Sequence, residues 1–455
     1  MFHARIFGAT ARFRDQHFQP LRASLVDGGR PSGSAPEEPH LDGNPALDRP
    51  LFVQFCANDP GELLAAAAYV APFCDAVDLN LGCPQGIARK GRYGAFLQDD
   101  QDLIYRLINK LHLNLSVPVT AKIRILETRE ATLAYARNVL SAGASILTVH
   151  GRHRDQKGHK TGLADWGVIR YLRDNLPPDT VLFANGNILR HCDIEACLEA
   201  TGADAVMSAE GNLCDPTIFF GPPEIGHEGR EYWRGRDGKG GYRVDAVFRR
   251  YMDIIYHHVL KVPVPKRCPL FLPSDSPPPH EPDTDPIIAT ATETGKRAVD
   301  DCESEQPTKK KQKLGKKEKS SDPNLLAMQP HLFHLLRPLV AKHHHIRDAL
   351  AKCRAGDIDA FENVLQMAES AVKRALAEYE AAADVADESP AAEPPTLAGL
   401  DPAARSAVES SVETVRACWR PWWVCQPYVR PLPAEALLKG SLTLSKKERA
   451  EVAQA

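Results

Sequence analysis

The chain has 455 residues, 43% hydrophobic and 25% charged, with a formal net charge of −3. That length buries a full core and predicts two folded units plus unstructured segments, while the charge excludes a globally basic nucleic-acid binder, so any RNA contact must come from local basic patches. Eleven cysteines without a CxxC pair argue against a zinc site or a disulfide scaffold and place the chain in a reducing compartment, cytoplasm or nucleus; no apolar run reaches membrane-spanning length, and MFHARIFGATARFRD lacks a signal-peptide core.

From about residue 50 to 220 short apolar strands alternate with helical stretches, the pattern of a parallel sheet with crossover helices. Six strands are predicted: 51–55 (LFVQF), 76–81 (AVDLNL), 117–125 (VPVTAKIRI), 145–151 (SILTVHG), 181–186 (VLFANG) and 204–211 (DAVMSAEG). Amphipathic segments lie between them, among them TLAYARNVLSAGA and DIEACLEATGA, which end near a Gly as helix C-caps prefer. Residues 76–84 are the most informative. The apolar alternation Val77, Leu79, Leu81 breaks at Gly82 and Pro84, which presents Cys83 at a strand's C-terminal end, where α/β folds gather their active sites.

Each of the six strands ends in residues that are awkward in a core. Gln54, Asn80 with Cys83, Lys122 with Arg124, His150 with Arg152, Asn185 with Asn187, and Ser208 with Glu210 fall at the same end of successive strands. Buried Lys, Asn and Gln are rare unless paired or bound to something, so six in register predict one shared polar pocket at the carboxyl end of a barrel. No GxGxxG follows a strand with an acid further on, which argues against a Rossmann site. Asn185-Gly186-Asn187 and Ala209-Glu210-Gly211 close the last two strands, where barrel enzymes commonly hold a phosphate; taken alone, NGN is also an ordinary turn.

DLNLGCPQ, VTAKIR, LTVHGR, FANGNI and VMSAEG, in this order and spacing, resemble the tRNA-dihydrouridine synthases. QFCANDP and GRYGAFLQ resemble the eukaryotic subgroup that modifies the sixteenth and seventeenth nucleotides of the tRNA D-loop. The resemblance is dense over residues 1–215 and weaker around 245–260 and 325–380. It implies an α/β fold, a flavin (β/α)8 TIM barrel over residues 1–225, followed by a small all-α tRNA-binding domain over 226–261 and 324–380. Residues 262–323 are then a disordered Lys-rich insertion, and 381–455 a mostly disordered tail.

Position by position, the resemblance makes Cys83 the proton donor. Gln54, Lys122 and His150 match flavin-contacting positions, and Asn185, Gly186, Asn187, Ala209 and Glu210 match the phosphate-binding turns. Asn80, Arg124 and Arg152 match positions near the substrate base. The implied cofactors are FMN with NADPH or NADH as reductant, and the implied partner is tRNA, with no metal, no membrane and a monomeric chain. NADPH would reduce FMN, the flavin would pass a hydride to C6 of uridine, and Cys83 would protonate C5 from the opposite face. General-acid help of this kind is worth ~10²–10⁴-fold in rate.

A base inside folded RNA cannot reach such a pocket, so the uridine must be splayed out and its flanks held by basic loops. Arg89, Lys90 and Arg92 follow Cys83, and Arg152, Arg154, Lys157 and Lys160 follow His150. A barrel needs eight strands and six are predicted. The resemblance accounts for the deficit by a missing first strand and most of a second, with Met1-Phe2-His3-Ala4 as that second strand's exit. An open seam and an incomplete flavin wall are then expected.

Past the barrel, 244–260 reads as an amphipathic helix, and helical pattern resumes at 325. Between them, the cluster Lys309–Lys319 reads as an import signal, a tRNA-contacting segment or a solvating linker. His343, His344 and His345 cannot share one helix face and read as surface rather than metal ligands. Trp419, Trp422, Trp423 and Tyr428 either stack on bases or form a peptide docked on the barrel. Three functional readings follow: a flavin reductase of D-loop uridines, a flavin enzyme of free pyrimidines, and an RNA-binding protein without flavin.

Overall fold

The computed structural model describes residues 1–21, 39–158, 161–275, 322–382 and 416–429. Its first unit alternates strand and helix. β1 (Phe2–His3) leads into α1 (Ala4–Ala9) and α2 (Ala11–His17), and then come β2 (Phe52–Cys56), α3 (Pro60–Val70), β3 (Ala76–Leu81), α4 (Gly86–Gly91) and α5 (Gln101–His112). The alternation continues through β4 (Val119–Arg124), α6 (Arg129–Ser141), β5 (Ile146–His150), α7 (Trp166–Asn175), β6 (Val181–Asn185), α8 (Cys192–Thr201), β7 (Ala205–Met207) and α9 (Glu210–Cys214). The seven strands form one parallel sheet in sequential order. This is the α/β architecture expected, with all six predicted strands present. Phe2–His3, expected as the exit of a strand, pairs with Phe55 and Cys56. Among the described residues no ladder joins β1 to β7.

Strand alternation sorts the residues onto two faces. Phe55, Val77, Leu79, Leu81, Ala121, Ile123, Leu147, Val149, Leu182 and Ala184 are fully buried and pack in one core beneath the helices. Each large side chain so buried stabilises the fold by about 1.5–3 kcal/mol. The alternate residues form rows across the other face, because parallel partners point the same way. Gln54 pairs with Asp78 and Asp78 with Thr120, Asn80 with Lys122 and Lys122 with Thr148, Arg124 with His150 and His150 with Asn185.

Several helices of this unit start from side-chain caps. Asp59, Asp100, Thr128 and Asp165 accept from the N–H groups of Glu62, Leu103, Ala131 and Val168. Each cap is worth about 1 kcal/mol and fixes the loop that precedes it.

The second unit begins with an antiparallel hairpin, β8 (Tyr232–Arg234) and β9 (Gly240–Tyr242), followed by α10 (Val244–Ile254). α11 (Pro323–Leu335), α12 (Arg337–Lys342), α13 (His344–Lys352) and α14 (Ile358–Ala381) complete it. Phe248, Met252, Leu332, Leu336, Phe361 and Leu365 build a separate core, and α11 packs on α9 of the first unit.

Two segments differ from their sequence expectation. Residues 262–275, expected inside the disordered insertion, lie against the helices without regular secondary structure. Arg267 clamps them to Asp253 and Glu362, Arg249 donates to the Cys268 carbonyl at 2.8 Å, and Arg230 pairs with Asp275 at 2.7 Å. These charged anchors work beside a buried Leu270 and a Phe271 that packs on the helical core. The Trp-rich segment is docked, but on the seam between the units. Trp423 packs edge-on against Trp233 and Trp422, while Arg190 of the first unit donates to the Ala417 carbonyl at 3.4 Å. His343, expected on the surface, is half-buried against Trp422 with ring centroids 4.4 Å apart. The cluster Lys309–Lys319 lies outside the described residues, as does Lys160.

Candidate active site at the carboxyl edge of the sheet

A cavity of about 460 Å³ opens at the carboxyl ends of β3 to β7. Its lining includes Asn80, Cys83, Lys122, Arg124, His150, Arg152, Asn185, Gly186, Asn187, Ala209 and Glu210, so the structure brings together every predicted site residue except Gln54.

Gln54 stands behind Asn80 instead. Its Nε2 donates to Asp78 Oδ2 at 2.7 Å, and its Oε1 accepts from Asn80 Nδ2 at 3.0 Å. Asp78 also accepts from Thr120 Oγ1 at 2.7 Å. Burial raises the Asp78 pKa, while the bonds from Thr120 and Gln54 and the charge of Lys122 pull it back. The chain of bonds ends at the cysteine: Asn80 Oδ1 accepts from the N–H groups of Gly82 at 3.1 Å and Cys83 at 2.9 Å. Asn80 therefore holds the turn that carries the half-buried Cys83 thiol, and a buried Thr120–Asp78–Gln54 network holds Asn80.

Gly94 fits the turn from the other side. It sits at φ +63°, and a Cβ there would come within 2.8 Å of the Cys83 carbonyl oxygen. Arg124 lines the cavity while its donors stitch loops together: Nε donates to Gly82 O at 2.8 Å, and Nη1 to His153 O at 2.8 Å and Gln156 O at 3.2 Å. Lys157 donates to Pro84 O at 2.8 Å, tying the loop after β5 to the cysteine turn.

Lys122 is a half-buried cation. Its amine makes no hydrogen bond or ion pair among the described residues, and burial first and the charge of Arg124 second push its pKa down to about 8. His150 is held neutral, its pKa pushed down to about 2 by burial and by Lys122, Arg124 and Arg152. Its Nε2 lies 2.9 Å from Arg152 Nη1, so it accepts there. Arg152 Nη2 also donates to Asn187 Oδ1 at 2.7 Å, which spreads the positive charge toward β6.

The β6–β7 end is shaped by backbone. Gly186 has φ +110°, and a Cβ would lie 2.6 Å from that of Ala164; Asn187 follows in the left-handed region. Trp166 Nε1 donates to Gly186 O at 3.0 Å and Asn185 Nδ2 to Met207 O at 2.8 Å. A Cβ on Gly211 would come within 2.4 Å of Ile188 O, so the two turns pack closely only with glycine there. The N–H groups of Asn187, Ile188 and Ala209 make no hydrogen bond among the described residues, and all three residues line the cavity.

Residues 34–229 match the family model described as dihydrouridine synthase (Dus). The chain is 38% identical over 460 aligned residues to the tRNA-dihydrouridine(16/17) synthase [NAD(P)(+)] of Saccharomyces cerevisiae, covering 99% of this chain and 83% of that protein. The chain belongs to the dihydrouridine synthase family. The tRNA-dihydrouridine(16/17) synthase [NAD(P)(+)] of Schizosaccharomyces pombe is 37% identical over 96% of this chain and 82% of its own length. The mouse tRNA-dihydrouridine(16/17) synthase [NAD(P)(+)]-like protein is 50% identical over 47% of this chain and 45% of that protein. The similarity to the two yeast synthases therefore extends through the helical unit, beyond the residues that the family model covers.

Sequence reasoning missed Asp78, Thr120 and Gln98, and it named Tyr428 without placing it at the cavity. The first two were legible as polar residues at alternate positions in otherwise apolar strands. Gln98, which donates to Arg124 O at 3.2 Å, carried no local signal; Tyr428 stood out in an aromatic segment, but nothing local showed that it lines the cavity from the far end of the chain. Among the described residues no cluster of His, Cys, Asp and Glu is arranged to hold a metal, and no helix is long and apolar enough to cross a membrane.

Proposed function

We propose that this chain is an NAD(P)H-dependent tRNA-dihydrouridine synthase that reduces uridine to 5,6-dihydrouridine at positions 16 and 17 of the D-loop, as its fungal relatives are named for. The observation that carries the reading is a thiol fixed at the rim of a polar cavity that also holds an unpartnered cation. Cys83 is placed by Asn80, and Lys122 faces the same space.

The residues present fit FMN as the cofactor. Lys122 offers a cation for an electron-rich ring edge, His150 a neutral ring, and the unengaged N–H groups of Asn187, Ile188 and Ala209 an anion site at the other end. Bound there, FMN would supply the hydride chemistry that takes two electrons from NADPH or NADH to C6 of the uracil ring. Cys83 completes the saturation by giving its thiol proton to C5. Asn80 keeps the thiol at the rim through the Cys83 N–H, and Arg124 and Lys157 hold the flanking loops in place. The site lies below the surface, so the uridine enters as a flipped nucleotide.

The exposed Arg89, Lys90 and Arg92 beside the cysteine turn form the basic surface that receives the RNA backbone. Arg154 and Lys157 contribute less than expected, because the first is ion-paired to Asp99 at 2.8 Å and the second is bonded to Pro84.

The test supplies the purified chain with FMN, NADPH and tRNA lacking modifications, followed by nucleoside mass spectrometry. The expected product is a uridine heavier by two hydrogens, mapped to the D-loop. Reduction of free uracil or uridine with tRNA untouched would overturn the assignment.

A further inference from the structure

The described part of the C-terminal tail, 416–429, is a strap that reaches the cavity. It is anchored on the second unit: Cys425 N donates to Tyr242 O at 2.8 Å, Val244 N to Trp423 O at 2.9 Å, and Arg420 Nε to Gly240 O at 3.1 Å. Val424 is fully buried in the helical core, and Arg243, in bridge contact with Val424, sits in a buried ion pair with Asp245 at 2.6 Å. From this anchor the chain runs onto the first unit, where the Tyr428 backbone hydrogen-bonds the Cys214 side chain at the end of α9.

Tyr428 and Val429 then line the cavity together with Ser208, Ala209, Glu210 and Gly211. The Arg337 guanidinium lies 4.1 Å from the Tyr428 ring centroid, and Tyr428 remains 37% exposed. A cation this close to an aromatic face orients the ring and adds positive potential. The Arg337 Nε is shielded from solvent and has no partner among the described residues. An aromatic wall backed by a cation thus stands at the end where three backbone N–H groups are unengaged. Cys83 stands at the other end of the opening, after β3.

We propose that the strap is a wall of the cofactor site, with Tyr428 packing over the phosphate-bearing arm of FMN and Arg337 holding the ring in place. The inference rests on the flavin reading above. It makes the helical unit a direct contributor to cofactor retention, because Arg337 belongs to α12 and the strap is anchored on α10 and the hairpin. A base of the RNA stacking on the same ring is the competing occupant. The location disfavours it: the ring adjoins the Ser208–Gly211 turn rather than the rim at Cys83.

Quenching of flavin fluorescence measures the FMN dissociation constant of the full chain directly, without turnover. Tyr428→Ala is expected to weaken FMN about tenfold, Tyr428→Phe to match wild type because the ring is what packs, and Arg337→Met to weaken it about threefold. Binding of tRNA, read by gel shift, stays at the wild-type level in all three. FMN affinity unchanged in Tyr428→Ala overturns the proposal, and a loss confined to tRNA binding reassigns the ring to RNA. If Tyr428→Ala fails to fold, Arg337→Met decides in the same way. A wild-type chain that takes up no FMN overturns the flavin reading itself, and this inference with it.

Discussion

The two ends of the cavity are built by different means. At the β3 end, side chains do the positioning: Thr120, Asp78, Gln54 and Asn80 form a continuous hydrogen-bonded chain that finishes on the Cys83 N–H. At the β6–β7 end, glycines and bare backbone do it, with Gly186 and Gly211 packed where no Cβ fits and neighbouring N–H groups unengaged. Under the proposed function, the difference follows from what each end would hold. A thiol that transfers a proton to one carbon needs its position fixed to a fraction of an ångström, which a satisfied buried network provides. A phosphate is a diffuse anion that several N–H groups recognise without side-chain chemistry.

The sharpest break in this comparison is at the thiol. Cys83→Ala is expected to lower the rate of uridine reduction by ~10²–10⁴-fold while FMN and tRNA binding persist, because only the proton donor is removed. Single-turnover measurement on tRNA with pre-reduced enzyme isolates this step. Near-normal turnover would remove Cys83 from the mechanism.

At the other end the matching variant is Gly186→Ala. A Cβ there meets Ala164 at 2.6 Å and His150 at 3.1 Å, on a backbone at φ +110°. Such a conformation costs a non-glycine residue about 1–3 kcal/mol before any overlap is counted. A fall in thermal stability together with weaker FMN binding is expected. Unchanged FMN binding in a folded variant would show that the turn is structural only.

Much of this was legible from residue type. The six strands, Cys83 at a broken strand end and the polar residues in register all follow from period-two alternation interrupted at fixed places. The buried network under Asn80 was harder, since Asp78 and Thr120 lie inside strands whose other residues carry the apolar pattern. Gln54 shows the limit: its type marked it as unusual, but its bonds to Asp78 and Asn80 place it one layer behind the cavity. The strap at Tyr428 was legible as an aromatic segment that docks or stacks, but its place at the cavity was not, because that lies in contacts with Cys214 and Arg337, far away in sequence. The order of residues 262–275 escapes composition for a related reason, since it comes from arginine pairs and from the packing of Leu270 and Phe271 against other parts of the chain.

Lys122 links the two ends and gives the comparison a pH axis. Burial and Arg124 lower its pKa to about 8, so the amine is charged below that pH and neutral above it. If the cation holds the flavin's electron-rich edge, FMN affinity is highest below about pH 8 and declines as pH rises through it. Lys122→Met is expected to bind FMN weakly with no step in that range, and Lys122→Arg to keep its affinity to higher pH, since a guanidinium stays charged. An FMN titration across this range that is flat for wild type would exclude a role for the charge.

The smallest expected effect lies outside the cavity, on α4. The side chains of Arg89 and Lys90 are exposed, make no hydrogen bond or ion pair among the described residues, and sit on the helix that follows the cysteine turn. Cations so placed touch phosphate without reading sequence, and their contribution is the release of condensed counterions. Arg89→Glu with Lys90→Glu should therefore weaken tRNA binding and reduce the slope of log affinity against log salt by about one for each phosphate no longer neutralised. Turnover at saturating tRNA should stay near wild type, because neither residue lines the cavity. The double variant removes two favourable charges from the last turn of α4, at a cost of about a few tenths of a kcal/mol each at an exposed site, so folding is not at risk. An unchanged salt slope would mean that the RNA backbone approaches the cavity from another side, and the cysteine end would then be set apart from the phosphate end by its buried network alone.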